Sequence, residues 1–229
     1  MEYQLIRCDR KSLSISFDQN FDVVVKAPLW LGDDEINTFI EKKSGWIADT
    51  RLRLQNERLN EVKTRIPLLS GDRLPYLGRE LILTVIREPR KRGKVSLNKD
   101  RLLMWVPYDA GYEMRRAALA AWYRRQAAYV IGKKAAAYAQ KMNVSYHEIH
   151  IKDQRTRWGS CSNMKNLNFS WRLIMTPDGV CDYVIIHELC HLVHMNHSPE
   201  FWALVAKMCP PYKQQKKWLR ESADKLYFI

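Results

Sequence analysis

The 229-residue chain has no apolar run near the roughly 18 residues that a membrane-spanning helix requires. Its opening, MEYQLIRCDRKS, lacks the basic start, apolar middle and small-residue cleavage site of a secretory leader. Cysteine is sparse. Cys8, Cys161, Cys181, Cys190 and Cys209 are odd in number and form no CxxC pair, which argues against a disulfide framework and against a cysteine-based zinc finger. No repeat, low-complexity tract or flexible linker stands out. Together these absences predict a cytoplasmic protein with no membrane partner. Acidic residues are in the minority, 25 against 38 Lys and Arg, and the net charge of +13 would attract nucleic acid, nucleotides or acidic proteins. What is present, 46% hydrophobic and 28% charged residues, is the composition of a globular protein.

The pattern along the chain predicts an α+β fold. SLSISF and FDVVVKAP read as a hairpin about a DQN turn. DDEINTFIEKKSGWIADTRLRLQNERL reads as one helix capped at Asp33 or Asp34, with Ile36, Phe39, Ile40 and Ile47 near helical spacing, and SGDRLPYLG closes it. RELILTVIRE and KVSLNKDRLLMWVP follow as extended runs about the basic turn PRKRGK, residues 89–94, a cationic tip that could touch phosphate or be a plain hairpin end. Residues 1–109 thus form a β-rich lobe with one helix. Residues 110–229 form a mainly helical lobe, and the two serve as one functional unit. Its long helix, Tyr112 to Met142, places Ala118, Trp122, Tyr129 and Ala136 on one stripe. Its lysines and arginines fall on both sides, as on a solvated helix. HEIHIKD and NLNFSWRLI are short strands around QRTRWGSCSNMK. Helices then run from Asp178 or Cys181 to about His194, from Ser198 to about Met208, and from Tyr212 to about Leu226.

DYVIIHELCHLVHMNHSPEFW, residues 182–202, holds four of the six histidines within eleven positions. His187, Glu188 and His191 spell HExxH. On a helix the two imidazoles stand one turn apart on one face and can converge on an ion, while the glutamate reaches a water beside it. A catalytic zinc takes three protein ligands and keeps one position open. For the third, His197, His194, Glu200 and Glu221 compete. His197 is favoured because Asn196, Ser198, Pro199 and Glu200 form a helix break and restart, turning the chain sharply where His197 stands. His194, on the same straight helix, has poorer tetrahedral geometry and is left facing substrate or solvent. Zinc would lower the pKa of a bound water from 15.7 to about 7, with Glu188 as its general base. Cys190 points off the ligand face and is read as packing.

RWGSCS (157–162), HELCHL (187–192) and NHSPEFW (196–202), in this order, resemble the YgjP-like metallopeptidase domain, a relative of the SprT-like and WLM zinc peptidases. The resemblance spans most of the chain. It implies a zincin-like C-terminal lobe whose HExxH helix is the active-site helix. It also implies one Zn2+ on His187, His191 and His197, with Glu188 catalytic on a peptide or protein substrate.

RTRWGSCS is also a candidate anion-binding turn, in which Gly159 lets backbone amides face a ligand. Arg157, Trp158, Gly159, Ser160 and His194 are therefore candidate substrate-binding residues, against the alternative of an ordinary turn. NLNFSWRLI could pair with an extended substrate. The oxyanion could fall to His194, Tyr212 or Arg157. A second hydrolase reading keeps the metal and attacks a phosphoanhydride or phosphoester, with Lys152, Arg155 and Arg157 neutralising phosphate. A third class is a DNA-associated protease, or a nucleic-acid-binding module with a structural zinc, using the basic surface.

Overall fold

The computed structural model describes residues 2–18, 20–64, 66–154 and 156–229. Among these the fold is mixed α+β, with six α-helices and three small sheets. Among the described residues no helix is long and apolar enough to cross a membrane. The chain divides into two compact units, Met1–Arg65 and Ile66–Ile229. The boundary expected after residue 109 falls inside the second unit, because the sheet of residues 73–106 shares one hydrophobic core with the helices that follow it.

The first unit has strands β1 (Gln4–Cys8), β2 (Ser14–Phe17) and β3 (Val23–Pro28), with β3 in the centre. β2 and β3 form the expected antiparallel pair, and β1 adds a parallel partner that the short, polar-interrupted QLIRC did not reveal. The expected single helix is two, α1 (Asp33–Lys42) and α2 (Ser44–Thr64), broken at Lys43. Gly32 rather than an aspartate stands at the N-cap, its amide donating to the Glu35 carboxylate at 3.4 Å. Val23, Val25 and Ala27 of β3 bury against Ile36, Ile40 and Ile47, so helix and strand periodicities meet in one small core.

In the second unit β4 (Arg73–Tyr76), β5 (Arg79–Arg87), β6 (Lys94–Asn98) and β7 (Arg101–Val106) lie in the order β4-β5-β7-β6. β4 arises where a helix-closing turn was expected. Its Pro75 is tolerated because the strand is at the sheet edge. Leu77 and Gly78, at φ 48° and 81°, make the two-residue hairpin turn to β5. The Leu77 amide then donates to the Ile174 carbonyl at 2.8 Å, fixing this hairpin to the segment ahead of the histidine helix. The PRKRGK segment is no hairpin tip: β5 pairs with β7 in parallel, so the basic segment crosses over to β6 on the far side.

α3 (Tyr112–Met142) packs on this sheet and then on the next helix. Its buried face is Leu119, Trp122, Tyr123, Ala127, Ile131, Ala135 and Ala139, not the expected stripe, since Tyr129 is 67% exposed. The fourfold steps from Tyr123 onward drift around the helix, because its two halves have different neighbours. Beyond it β8 (Ile149–Lys152), β9 (Gly159–Cys161) and β10 (Leu167–Ser170) form a sheet in the order β8-β10-β9, followed by a 3-10 turn at Trp171–Met175. α4 (Asp178–Cys190), α5 (Pro199–Met208), α6 (Tyr212–Ser222) and a 3-10 turn at Ala223–Leu226 complete the unit. α4 is buried almost all round, through Val180, Cys181, Val184, Ile185, Ile186, Leu189 and Cys190, as an apolar helix at the centre of a core must be. Lys134 of α3 bonds Asp178 and Asp182 across to it, at 3.0 and 2.7 Å.

Candidate metal centre

His187 and Glu188 lie on α4, and His191 caps it with helical angles (φ −66°, ψ −17°), so the four-residue spacing keeps both rings on one face. Their centroids are 5.0 Å apart. The helix expected to reach His194 ends at Cys190 instead. Its loosened last turn is held by the Val193 and His194 amides, which both donate to the Cys190 carbonyl. That turn aims the His194 carbonyl at His191 Nδ1, 3.1 Å away. The ring therefore donates through Nδ1 and keeps the lone pair of Nε2 free. Ser198 restarts the helix as N-cap of α5, accepting from the Phe201 amide, with Pro199 at its first position. The sharp turn before it brings His197 Nε2 to 3.1 Å from His187 Nε2.

One donor atom from each of His187, His191 and His197 lies within 4.8 Å of the others. Tetrahedral bonds of about 2.1 Å would set ligand nitrogens roughly 3.4 Å apart, so the three rings fit an ion with little movement. Burial, with His191 and His197 beside it, depresses the His187 pKa to about 3, and burial lowers that of His191. Both therefore remain neutral, the form that binds metal. His187 Nδ1 is buried without a hydrogen-bond partner among the described residues. His194, Glu200 and Glu221 are not in the cluster.

Phe201 is the floor of the site. It is fully buried, and its ring centroid is 5.0, 4.6 and 4.8 Å from those of His187, His191 and His197. Trp202 stacks on His197, at 5.6 Å and 25°. Sequence reasoning gave neither aromatic a role, although both lie in NHSPEFW, one helical turn past the N-cap.

Glu188 is 5% exposed. Burial pushes its pKa up to about 8, against the opposing charge of Arg157. Gly159 of β9 makes room for it: a Cβ there would sit 2.7 Å from Glu188 Cγ and Oε1. The glycine of RWGSCS thus gives the Glu188 side chain room that any other residue would take. Arg157 is exposed and Ser160 half-buried, its hydroxyl accepting from Asn168 Nδ2 at 3.3 Å. Trp158 packs on Tyr227 at 6.4 Å, and His194 offers the site its carbonyl.

Of the expected strand NLNFSWRLI only Leu167–Ser170 is extended, as β10, and the WRLI half turns into the 3-10 segment; β10 is paired on both sides and has no edge to offer a substrate, and β9 is the edge beside α4. Of the cations expected to neutralise phosphate, Lys152 ends β8 at the opposite edge of that sheet, and Arg155 lies outside the described residues. Tyr212 stacks on Trp202, at 5.6 Å and 23°.

Residues 11–222 match the family described as YgjP-like, metallopeptidase domain. No curated protein matches the chain. Among solved structures it is similar to the metallopeptidase zymogen of Pyrococcus abyssi abylysin, at 18% identity and a TM-score of 0.37, over 41% of this chain and 93% of that one. A likeness of that size carries no argument about fold or mechanism.

Proposed function

Because the chain belongs to the YgjP-like metallopeptidase family, we propose that it is a zinc-dependent peptidase in which His187, His191 and His197 hold one ion and Glu188 is the general base. The observation that carries this is the convergence of three imidazoles beside a buried carboxylate pressed against a glycine. Histidine nitrogens suit zinc, and three ligands without a fourth among the described residues suit an open rather than a closed site. An ion held there supplies a Lewis acid for the scissile carbonyl and lowers the pKa of the attacking water.

Glu188 takes the proton of that water and returns it to the leaving amine. Gly159 fixes where its carboxylate can stand. α4 is thus the active-site helix of a zincin-like unit. The free edge of β9 suits an extended peptide, which would pair with its backbone and cross in front of the histidines. Arg157, Ser160 and His194 border that path, while Trp158 and Gly159 form its wall. Five free cysteines agree with a reducing cytoplasm.

The test is Glu188→Gln. The variant should keep about one zinc per chain by elemental analysis and lose turnover of a casein-like protein; retained turnover would overturn the assignment.

A further inference from the structure

The proposed peptidase reading leaves a second feature beside the histidines unused. On α6, Lys213, Lys216, Lys217 and Arg220 recur at the helical spacing i, i+3, i+4 and i+7, so all four project from one face. With Trp202 and Tyr212 they line an open groove of about 590 Å³. All four cations are exposed. Among the described residues Lys213, Lys216 and Lys217 have no acidic partner, and Arg220 meets only its neighbour Glu221, at 3.4 Å. Such a stripe repels itself and costs stability unless something anionic visits it.

The groove is joined to the metal site through Trp202. That ring stacks on His197 on the one hand and on Tyr212 on the other, and Lys216 Nζ lies over it at 4.7 Å. A ligand in the groove therefore lies against the ring that backs a metal-binding imidazole. We propose that this groove binds acidic side chains of the peptide substrate, so that the enzyme selects Asp- and Glu-bearing sequences next to the bond it cuts.

Spacing and surface favour a peptide over nucleic acid. The four cations span about 10 Å of helix at 1.5 Å per residue. Side chains on one face of an extended peptide recur every ~6.7 Å, so two acids in alternate positions fall within that span. Binding of single strands instead relies on open aromatic faces for the bases. Trp202, the large aromatic here, is already taken up by two rings and an ammonium group.

The inference rests on the peptidase reading, and binding separates the two. Metal-loaded full-length Glu188→Gln protein is titrated with a labelled peptide carrying Asp-x-Glu and with its Asn-x-Gln counterpart, followed by fluorescence anisotropy. The acidic peptide should bind about tenfold more tightly, the sum of two or three exposed ion pairs, and the advantage should shrink at high salt. Adding Lys217→Gln and Arg220→Gln should remove most of that tenfold. Neither residue is buried, so the core is untouched, and the salt dependence of the unsubstituted stripe gives a readout without any variant.

Equal affinity for the two peptides would overturn the proposal, as would an acidic advantage indifferent to both substitutions and salt. Displacement of the acidic peptide by a single-stranded oligonucleotide or a nucleoside triphosphate at lower concentration would assign the groove to phosphate and overturn it too. If the charge-dependent binding holds but wild-type protein cuts neither peptide, the groove stands and the peptidase reading falls. If wild type cuts both at the same rate and both bind alike, the groove falls and the peptidase stands.

Discussion

Gly159→Ala tests how tightly the Glu188 carboxylate, the proposed general base, is held. The added Cβ would lie 2.7 Å from Glu188 Cγ and Oε1 and 2.9 Å from Cδ. Carbon atoms prefer about 3.5–4.0 Å, so something must retreat by nearly ~1 Å. The α4 backbone is not free to do so, because Val184, Ile185 and Leu189 on its neighbouring turns are buried in the core. Glu188 itself must turn away. Overpacking of this kind costs about 1–3 kcal/mol of stability, and a ~1 Å error in a reacting group costs about 10²-fold in turnover. Zinc content should remain near one per chain, since the neighbours of that Cβ belong to Glu188 and not to a histidine. Urea denaturation, elemental analysis and steady-state kinetics read the three effects separately. In a Glu188→Ala background the same alanine should cost under about 0.5 kcal/mol, because the clash has lost its partner. Wild-type turnover in Gly159→Ala, or an equal stability cost in both backgrounds, would refute the reasoning.

Three further expectations follow from the site. His197→Ala should lose bound zinc, whereas His194→Ala should retain it, because His194 holds His191 through its carbonyl, which alanine keeps; a chelating dye reports both, and the reverse result would exchange their roles. Phe201→Ala removes a fully buried ring against all three imidazoles and should cost about 3–5 kcal/mol in denaturant unfolding. It should also lower zinc affinity about 10–100-fold, and unchanged affinity would show the rings are held by other means. In metal-free protein Glu188 binds its proton more tightly folded, with a pKa near 8, than unfolded, near 4.5. Its contribution to stability is therefore complete below pH 4.5 and lost as pH rises through 8, at a slope approaching 1.4 kcal/mol per unit. His187 has the opposite sign: with a folded pKa near 3 against 6.5, its contribution is complete above pH 6.5 and lost as pH falls through 3. Metal-free Glu188→Gln should lose the first dependence and keep the second in pH-resolved urea titrations.

Where one element decides its own neighbours, the sequence was sufficient to find it. The antiparallel pairing of β2 with β3, the span of α3 and the Ser198-Pro199 restart of α5 follow from alternation, helical spacing and capping. Where pairing is non-local, it was not. PRKRGK looks like a hairpin tip in isolation, and only the parallel pairing of β5 with β7, which costs a crossover, shows otherwise. The stripe on α3 failed for a related reason: a fixed heptad step assumes one neighbour along the helix, while Leu119 and Trp122 at one end and Ala135 and Ala139 at the other meet different elements, so the buried face rotates. The break at Lys43 has only the nearby Ser44-Gly45 to mark it, and the early end of α4 carries no glycine or proline to announce it.

The site divides along the same line. His187 and His191 were legible because four residues on a helix are a local fact, and His197 because its turn is written in the residues beside it. Phe201 was hidden in plain apolar sequence, since nothing local distinguishes a ring under three imidazoles from any other core ring. Gly159 is the sharper case. RWGSCS and HELCHL look like separate motifs, and a glycine in a turn invites an account based on backbone freedom or amide display. The structure adds a reason of another kind. Gly159 sits in a strand, without the positive φ that marks Gly71 and Gly78, and a Cβ there is barred by Glu188. The two motifs are halves of one contact, which makes the strand, and not only the helix, responsible for where the Glu188 carboxylate stands.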